Sequence, residues 1–380
     1  MSQDFVRQMP DRSSDLARPM GFWQRVHIDP LMLILLLMLT AFGLAVLYSA
    51  AGQSAGTMMR QGRFLIIAYI GMLVVAQLDV ERIKRLAPLA YLVGIALLIA
   101  VPLVGVGAKG AQRWLSLGGF RFQPSEVMKL VVPMAVAWYF AGRALPPRVE
   151  HIIASLIMIA VPTLLIARQP DLGTSILIAA SGLFALFLAG IGWRFIFGAA
   201  GLLVISAYPM WQLVLHDYQK TRILTLLNPE SDKLGAGWNI IQSKTAIGSG
   251  GWDGKGWLNG TQSQLDFLPE SHTDFIIAVL AEEWGLQGVI ALLLIYLAII
   301  IRGLWIGMNA QHSFGRLLAG SITLTFFVYV FVNMGMVSGL LPVVGVPLPL
   351  VSQGGTSLVT LLAGFGLLMA ISTEKRMMEQ

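Results

Sequence analysis

The sequence contains no cysteine, so no disulfide, Cys-ligated metal or thiol nucleophile is available to it. Charge is nearly as scarce. Only 12% of the 380 residues are Asp, Glu, Lys or Arg, against about 25% in an ordinary soluble domain. With 56% hydrophobic residues and a mean hydropathy of +0.73, the chain cannot cover a water-facing surface. A soluble enzyme, a nucleic-acid binder and a disordered scaffold are excluded on these grounds. Metal-ligand patterns are missing too: the five His residues are scattered, with no HExxH or comparable spacing. Nor does the spacing support a Ser–His–Asp set. What is left is a polytopic membrane protein.

Long apolar runs are what the chain has in abundance. A membrane helix needs about 20 apolar residues. Runs lie near 31–48, 64–78, 86–107, 126–142, 151–167, 172–190, 194–215, 285–303, 317–341 and 355–371, which predicts an all-α fold of ten transmembrane helices. The first run is longer than the apolar core of a cleaved signal, about 7–15 residues, and reads as a retained span. With the N-terminus inside, 14 of the 26 basic residues fall in inner segments, among them Arg7, Arg12, Arg18, Arg25, Arg82, Lys84, Arg85, Lys375 and Arg376. That bias places both termini in the cytoplasm. The expected organisation is a cytoplasmic tail over 1–29, a ten-helix membrane domain over 30–372 and a second cytoplasmic tail over 373–380. Within it, the mostly polar stretch 216–284 forms a large outer loop between helices 7 and 8. Its Trp238, Ile240, Ile241, Trp252, Trp257, Phe267 and Leu268 suit a segment lying on the membrane surface.

A charge inside a bilayer costs about 2.5–3.5 kcal/mol on insertion scales and needs a reason. Glu126 and Lys129 open the fourth span on one helix face. A capped helix with a local ion pair and a polar spot lining an outward cavity both account for them. Arg168 and Asp171 bracket the tight outer link between the fifth and sixth spans, where Asp171 suits a helix cap and Arg168 a snorkelling cation. Arg113, beside Trp114, is a third outer cation. Asp274 stands at the edge of an apolar run, where desolvation would raise a carboxylate toward the general-base range. Glu282 and Glu283 follow two turns later and need a cation or a cavity. The Gly-rich stretch 248–256 fails as a phosphate-binding loop, because Ser249 and Gly256 stand where Gly and Ser/Thr are required. It reads as a flexible turn, whose N–H groups and Lys255 still suit an anion. The stretch Gly345–Ser357, with two Pro and three Gly, interrupts the last apolar pattern. Irregular backbone at that depth needs cover from protein or a wet cavity, and a re-entrant turn and a ligand site including Ser352 fit it equally.

Through Lys109-Gly-Ala-Gln-Arg-Trp114, Arg121-Phe-Gln-Pro-Ser-Glu126, Gln169-Pro-Asp-Leu-Gly-Thr-Ser175, Phe267-Leu-Pro-Glu270, His272-Thr-Asp-Phe275 and Val344-Gly-Val-Pro-Leu-Pro-Leu-Val-Ser352, the chain resembles the SEDS family (shape, elongation, division and sporulation). The resemblance runs from about His27 onward and favours the RodA branch over FtsW or SpoVE. Gln353 departs from it, standing where the family usually has Tyr. The resemblance implies ten helices in the bacterial cytoplasmic (inner) membrane and a peptidoglycan glycosyltransferase that works on the periplasmic side in cell elongation and rod shape. Its implied substrate is lipid II. Its implied partners are a class B penicillin-binding protein that cross-links the glycan, other elongation-complex membrane proteins and membrane lipid, with no nucleic acid.

Carried over residue by residue, the family's essential Asp is Asp274, and its Glu and Lys of the fourth helix are Glu126 and Lys129. The implied reaction is a single inverting displacement, in which the 4-hydroxyl of an acceptor GlcNAc attacks C1 of the MurNAc-pyrophosphate donor. Asp274 is the candidate base. Lys129, Arg113 and Arg168 are candidates for the leaving pyrophosphate, with a divalent cation, Mg or Mn, as a candidate aid. Asp171, Glu282, Lys255 and Ser352 complete the candidate cavity. The alternative reading of the same charges is a lipid II flippase. An alternating-access carrier should also show polar groups at the midplane and inner gate, and few are seen. A non-catalytic scaffold, the third reading, should survive loss of the Asp274 carboxylate.

Overall fold

The computed structural model describes residues 23, 26–108, 111–117, 120–169, 171–209, 211–212, 217–232, 235–264 and 270–374. The tail residues Arg7, Arg12, Arg18, Arg25, Lys375 and Arg376 lie outside them, as do Lys109, Phe267 and Leu268. Helices form where the apolar runs lie: α1 Pro30–Ala50, α2 Ala55–Ala76, α3 Val80–Val104, α4 Pro124–Phe140, α5 Val149–Ala167, α6 Leu172–Leu188 and α7 Trp193–Pro209. The stretch 216–284 adds α8 Asp217–Leu227 and α9 Ala236–Gly250, and the chain continues through α10 Ile276–Asn309, α11 Ser313–Val337 and α12 Thr356–Ser372. Six of these, α1, α2, α3, α5, α10 and α11, are long and apolar enough to cross a membrane by length and composition. The protein is a mostly helical, multi-pass membrane protein. Large apolar side chains such as Ile66, Ile70, Leu92, Leu164 and Leu294 stand outward, as a lipid-facing surface requires.

Short polar residues set the helix starts. Asp29 accepts from the N–H of Met32, with Pro30 at the first helical position. Ser54 accepts from Thr57, Asp79 from Glu81 and Asp171 from Thr174. Each satisfies a backbone donor that the first turn leaves open. At the same end of α1, the Asp29 carboxylate takes both Nε and Nη2 of Arg302, at 3.2 and 2.5 Å, and the Ser372 hydroxyl at 2.9 Å. That cluster ties α1, α10 and α12 together.

The all-α expectation needs one amendment. Between α3 and α4 the chain folds into an antiparallel sheet of β1 Val106–Ala108, β2 Ala111–Leu117 and β3 Phe120–Phe122, in that order. A second difference concerns α10, whose apolar run was expected to begin at 285. Its backbone turns helical at Ile276 and breaks at Gly285, where φ is +64°. Only glycine takes that conformation without penalty. The outer turn after α9 docks at the break, with N–H groups of Lys255 and Gly256 on the carbonyls of Glu282 and Glu283 and that of Leu286 on Gly251.

Inside the bundle, α11 is the most enclosed of the long helices, with 67% of its apolar window buried. It packs on α10, α6 and α4, while α12 packs on α2 and α9 on α10. The first turns of α4 and α6 and the start of α10 come together at α11, through Lys129 on Tyr329, Leu177 beside Tyr329 and Asp274 on Asn333.

Candidate active site

The sheet between α3 and α4 brings a cation to the start of α6. Arg113, on β2, donates from Nε to the carbonyl of Gln169 at 3.2 Å, and its Nη1 lies 3.9 Å from Asp171 Oδ2. The same Asp171 oxygen accepts from Gln123 Nε2 at 3.0 Å, while Oδ1 caps α6 through the N–H of Thr174. Gln123 also donates to Ser125 Oγ at 2.9 Å, and Gln169 is pinned by its own bond to the Leu98 carbonyl.

On the adjoining first turn of α4, Glu126 and Lys129 form a buried pair, Oε1 to Nζ at 2.6 Å, each residue 7% exposed. The ammonium also sits over the Tyr329 ring of α11, 4.8 Å from its centroid, a favourable place for a desolvated cation. Beside them lies a cavity of about 30 Å³ lined by Glu126, Lys129, Thr325, Tyr329 and Thr360 and, on its apolar side, by Leu130, Ile322, Phe326, Leu361 and Phe365. That is room for about one water.

Asp274 belongs to a second assembly, just before α10. It is half-buried, and a Cβ on Gly345 would stand 3.5 Å from its Oδ2. Its main-chain carbonyl accepts from Asn333 Nδ2 at 2.8 Å, and the same nitrogen donates to the Val346 carbonyl at 2.7 Å. Ser352 joins the two segments again: its hydroxyl donates to the Thr273 carbonyl at 2.5 Å and accepts the Leu348 N–H at 2.9 Å. Gln353 adds a main-chain bond to His272. From the other side, Gln61 of α2 donates to the Ser352 carbonyl and accepts the Gly354 N–H.

The two assemblies share a wall. A Cβ on Gly173 of α6 would lie 2.7 Å from the Val344 carbonyl, and Val346 packs with Leu177 and Tyr329. Asp274 meets the stretch Val344–Val346 at Gly345, and Lys129 reaches it through the Tyr329 ring, which packs on Val346.

The remaining candidates are placed otherwise. Arg168 stands exposed at the C-cap of α5. Lys255 and Glu282 are each other's partners at 2.8 Å, with Thr261 Oγ1 and the Gln262 N–H also on Glu282 Oε1. Glu283 accepts from the Ser49 hydroxyl. Sequence reasoning missed Tyr329, Asn333, Gln61 and Gln123. Tyr329 and Asn333 did carry a signal: two polar residues at i, i+4 share one face of an otherwise apolar helix.

A family model described as cell cycle protein, FtsW/RodA/SpoVE, matches residues 29–377. The peptidoglycan glycosyltransferase MrdB of Escherichia coli K12 is 54% identical over 360 residues, covering 94% of this chain and 97% of its own. A probable peptidoglycan glycosyltransferase FtsW of Trichlorobacter lovleyi is 36% identical over 358 residues, covering 90% and 93%. Among solved structures, a chain from a peptidoglycan synthase complex that coordinates polymerization and crosslinking superposes with a TM-score of 0.80 at 30% identity, over 90% of this chain and 97% of that one. The rod shape determining protein RodA of Thermus thermophilus gives a TM-score of 0.69 at 27% identity, over 90% and 96%.

Proposed function

The chain belongs to the FtsW/RodA/SpoVE family and is a peptidoglycan glycosyltransferase, and from that premise we propose that it polymerises lipid II with Asp274 as the base. The acceptor's 4-hydroxyl oxygen bonds to C1 of the donor, and its proton passes to the Asp274 carboxylate. The bond from C1 to the pyrophosphate oxygen breaks in the same displacement, turning an α-linked donor into a β-1,4 link. A sugar hydroxyl needs such a proton acceptor, and the departing pyrophosphate needs positive charge. What carries the reading is the shared wall: Asp274 meets it at Gly345, the Tyr329 ring that carries Lys129 packs on Val346, and α6, which starts at the Arg113–Asp171 pair, touches it through Gly173.

On the same reading, all ten apolar runs cross the membrane, both termini are cytoplasmic and the site faces the periplasm, with 216–284 as the large outer loop. The positive-inside bias supports that orientation. The partner is the crosslinking enzyme, a class B penicillin-binding protein; a relative 30% identical to this chain works in a peptidoglycan synthase complex that couples polymerization to crosslinking. Among the described residues no group of three or more His, Asp or Glu stands together to hold a metal ion.

The test is glycan polymerisation from purified lipid II by the chain bound to its partner, with the partner's transpeptidase blocked. Wild type is expected to make long uncross-linked strands and Asp274→Ala to fall at least ~100-fold, the scale of a lost general base. Equal product from both would acquit Asp274. No product from either would favour the flippase reading.

A further inference from the structure

Three buried side-chain polar atoms lack a hydrogen-bond partner among the described residues: Tyr329 Oη, Asn333 Oδ1 and Glu374 Oε2. Two of the three lie one turn apart on α11, beside Lys129 and Asp274. Natural proteins leave few such groups, and each calls for a reason.

At Asn333 the reason is geometric. The residue is 0% exposed, and its Nδ2 makes both bonds, 2.8 Å to the Asp274 carbonyl and 2.7 Å to the Val346 carbonyl. Turning the carboxamide round would set its oxygen against two carbonyl oxygens, so the orientation is fixed. The Asp274 carbonyl takes a donor from outside its own helix here. In a regular helix it would accept from Ala278, but the Ala278 N–H donates to Phe275 at 2.9 Å, because α10 starts only at Ile276. The second bond holds the chain next to Gly345, the residue that faces the Asp274 carboxylate. Beside the bonds of Ser352 and Gln353 to Thr273 and His272, this buried NH₂ group is the tie that acts at Asp274 itself and at the chain next to Gly345.

We infer that Asn333 is a positioning residue for Asp274, locking its main chain to the Val344–Val346 wall so that the carboxylate meets the acceptor hydroxyl in a fixed place. This rests on the reading of Asp274 as the base. Misplacing a reacting group by about 1 Å costs on the order of 100-fold in rate. Asn333→Leu keeps the branched heavy-atom outline, with somewhat more bulk, and removes the donor. With the complex intact, its kcat on lipid II is expected to drop ~100-fold while KM stays within about threefold of wild type. The acidic limb of its rate–pH profile, which reports the base, is expected to move. Asn333→Gln, which restores a donor one methylene away, is expected to recover part of the loss.

Asp274→Ala is run alongside. An active Asp274→Ala would overturn the base and this inference with it. An inactive Asp274→Ala beside an Asn333→Leu with wild-type kcat and pH profile would overturn the inference alone. So would a loss at Asn333 that appears only in KM or leaves the pH profile unmoved. Should Asn333→Leu fail to assemble, the same readouts on Asn333→Gln decide: an unmoved acidic limb contradicts the inference and a moved one supports it.

Discussion

Among the described residues two lysine–glutamate pairs hold a buried carboxylate, Glu126 and Glu282, and their surroundings set them apart. Glu282 Oε1 takes Lys255 Nζ at 2.8 Å, Thr261 Oγ1 at 3.1 Å and the Gln262 N–H at 2.9 Å, and Lys255 gives a further bond to Thr261 at 2.7 Å. Main-chain bonds across the Gly285 break surround that pair. It closes on itself and fastens the outer turn to α10. The Glu126–Lys129 pair has one mutual bond, an aromatic face above the ammonium, a water-sized cavity beside it and the unpartnered Tyr329 hydroxyl next door. The charges are alike and both carboxylates are buried, but the Lys255 side chain is 27% exposed where that of Lys129 is 8%. What separates a fastening from a site is whether the chain has already used the hydrogen-bonding capacity around the charges.

Breaking each pair from the lysine side sharpens the contrast. Lys129→Met strands a buried carboxylate and is expected to lower stability by roughly 3–5 kcal/mol, read from the unfolding midpoint in detergent. Lys255→Met is expected to cost less, about 1–3 kcal/mol, since Thr261 and Gln262 still donate to Glu282. The reverse order would contradict the description of the second pair as the more fully satisfied.

The smallest effect lies at the cytoplasmic end proposed for α12. Burial pushes the Glu374 carboxyl above the usual carboxylate range, with His312 Nε2, 3.7 Å away, pulling the other way. A carboxyl raised in the folded state contributes stability at pH below its ordinary value, and that contribution is lost as pH rises through the raised one. Glu374→Gln is expected to flatten the fall of melting temperature across that mildly acidic window and to raise it slightly at neutral pH. An unchanged slope would contradict the assignment.

Much of the fold was legible because membrane helices are written in composition, and helices stand on the apolar runs. The i, i+3 spacing of Glu126 and Lys129 and the cap at Asp171 were legible for a similar reason: both are contacts within one turn of helix. The sheet was missed, although the pair Gly118-Gly119 between alternating residues is a hairpin signal; strands of three residues carry too little pattern to read. The start of α10 was misplaced because Glu282 and Glu283 interrupt its apolar run, whereas the fold buries both, Glu282 on Lys255 and Glu283 on Ser49. The union of Lys255 with Glu282 and the clamp of Asn333 on Asp274 join positions far apart in the chain. No local spacing encodes such contacts, so the closed pair looked as much like a site as the open one.

The most direct measurement compares the two pairs with both charges removed from each, which avoids stranding a carboxylate. Glu126→Gln/Lys129→Met and Lys255→Met/Glu282→Gln would each be purified with the crosslinking partner, its transpeptidase blocked, and assayed for lipid II polymerisation. The expected result is at least a ~100-fold fall for the first, the scale of a lost charge-stabilising group, and a rate within about threefold of wild type for the second. Equal rates, or the greater loss at Lys255 and Glu282, would contradict the division of the molecule into a site and a fastening.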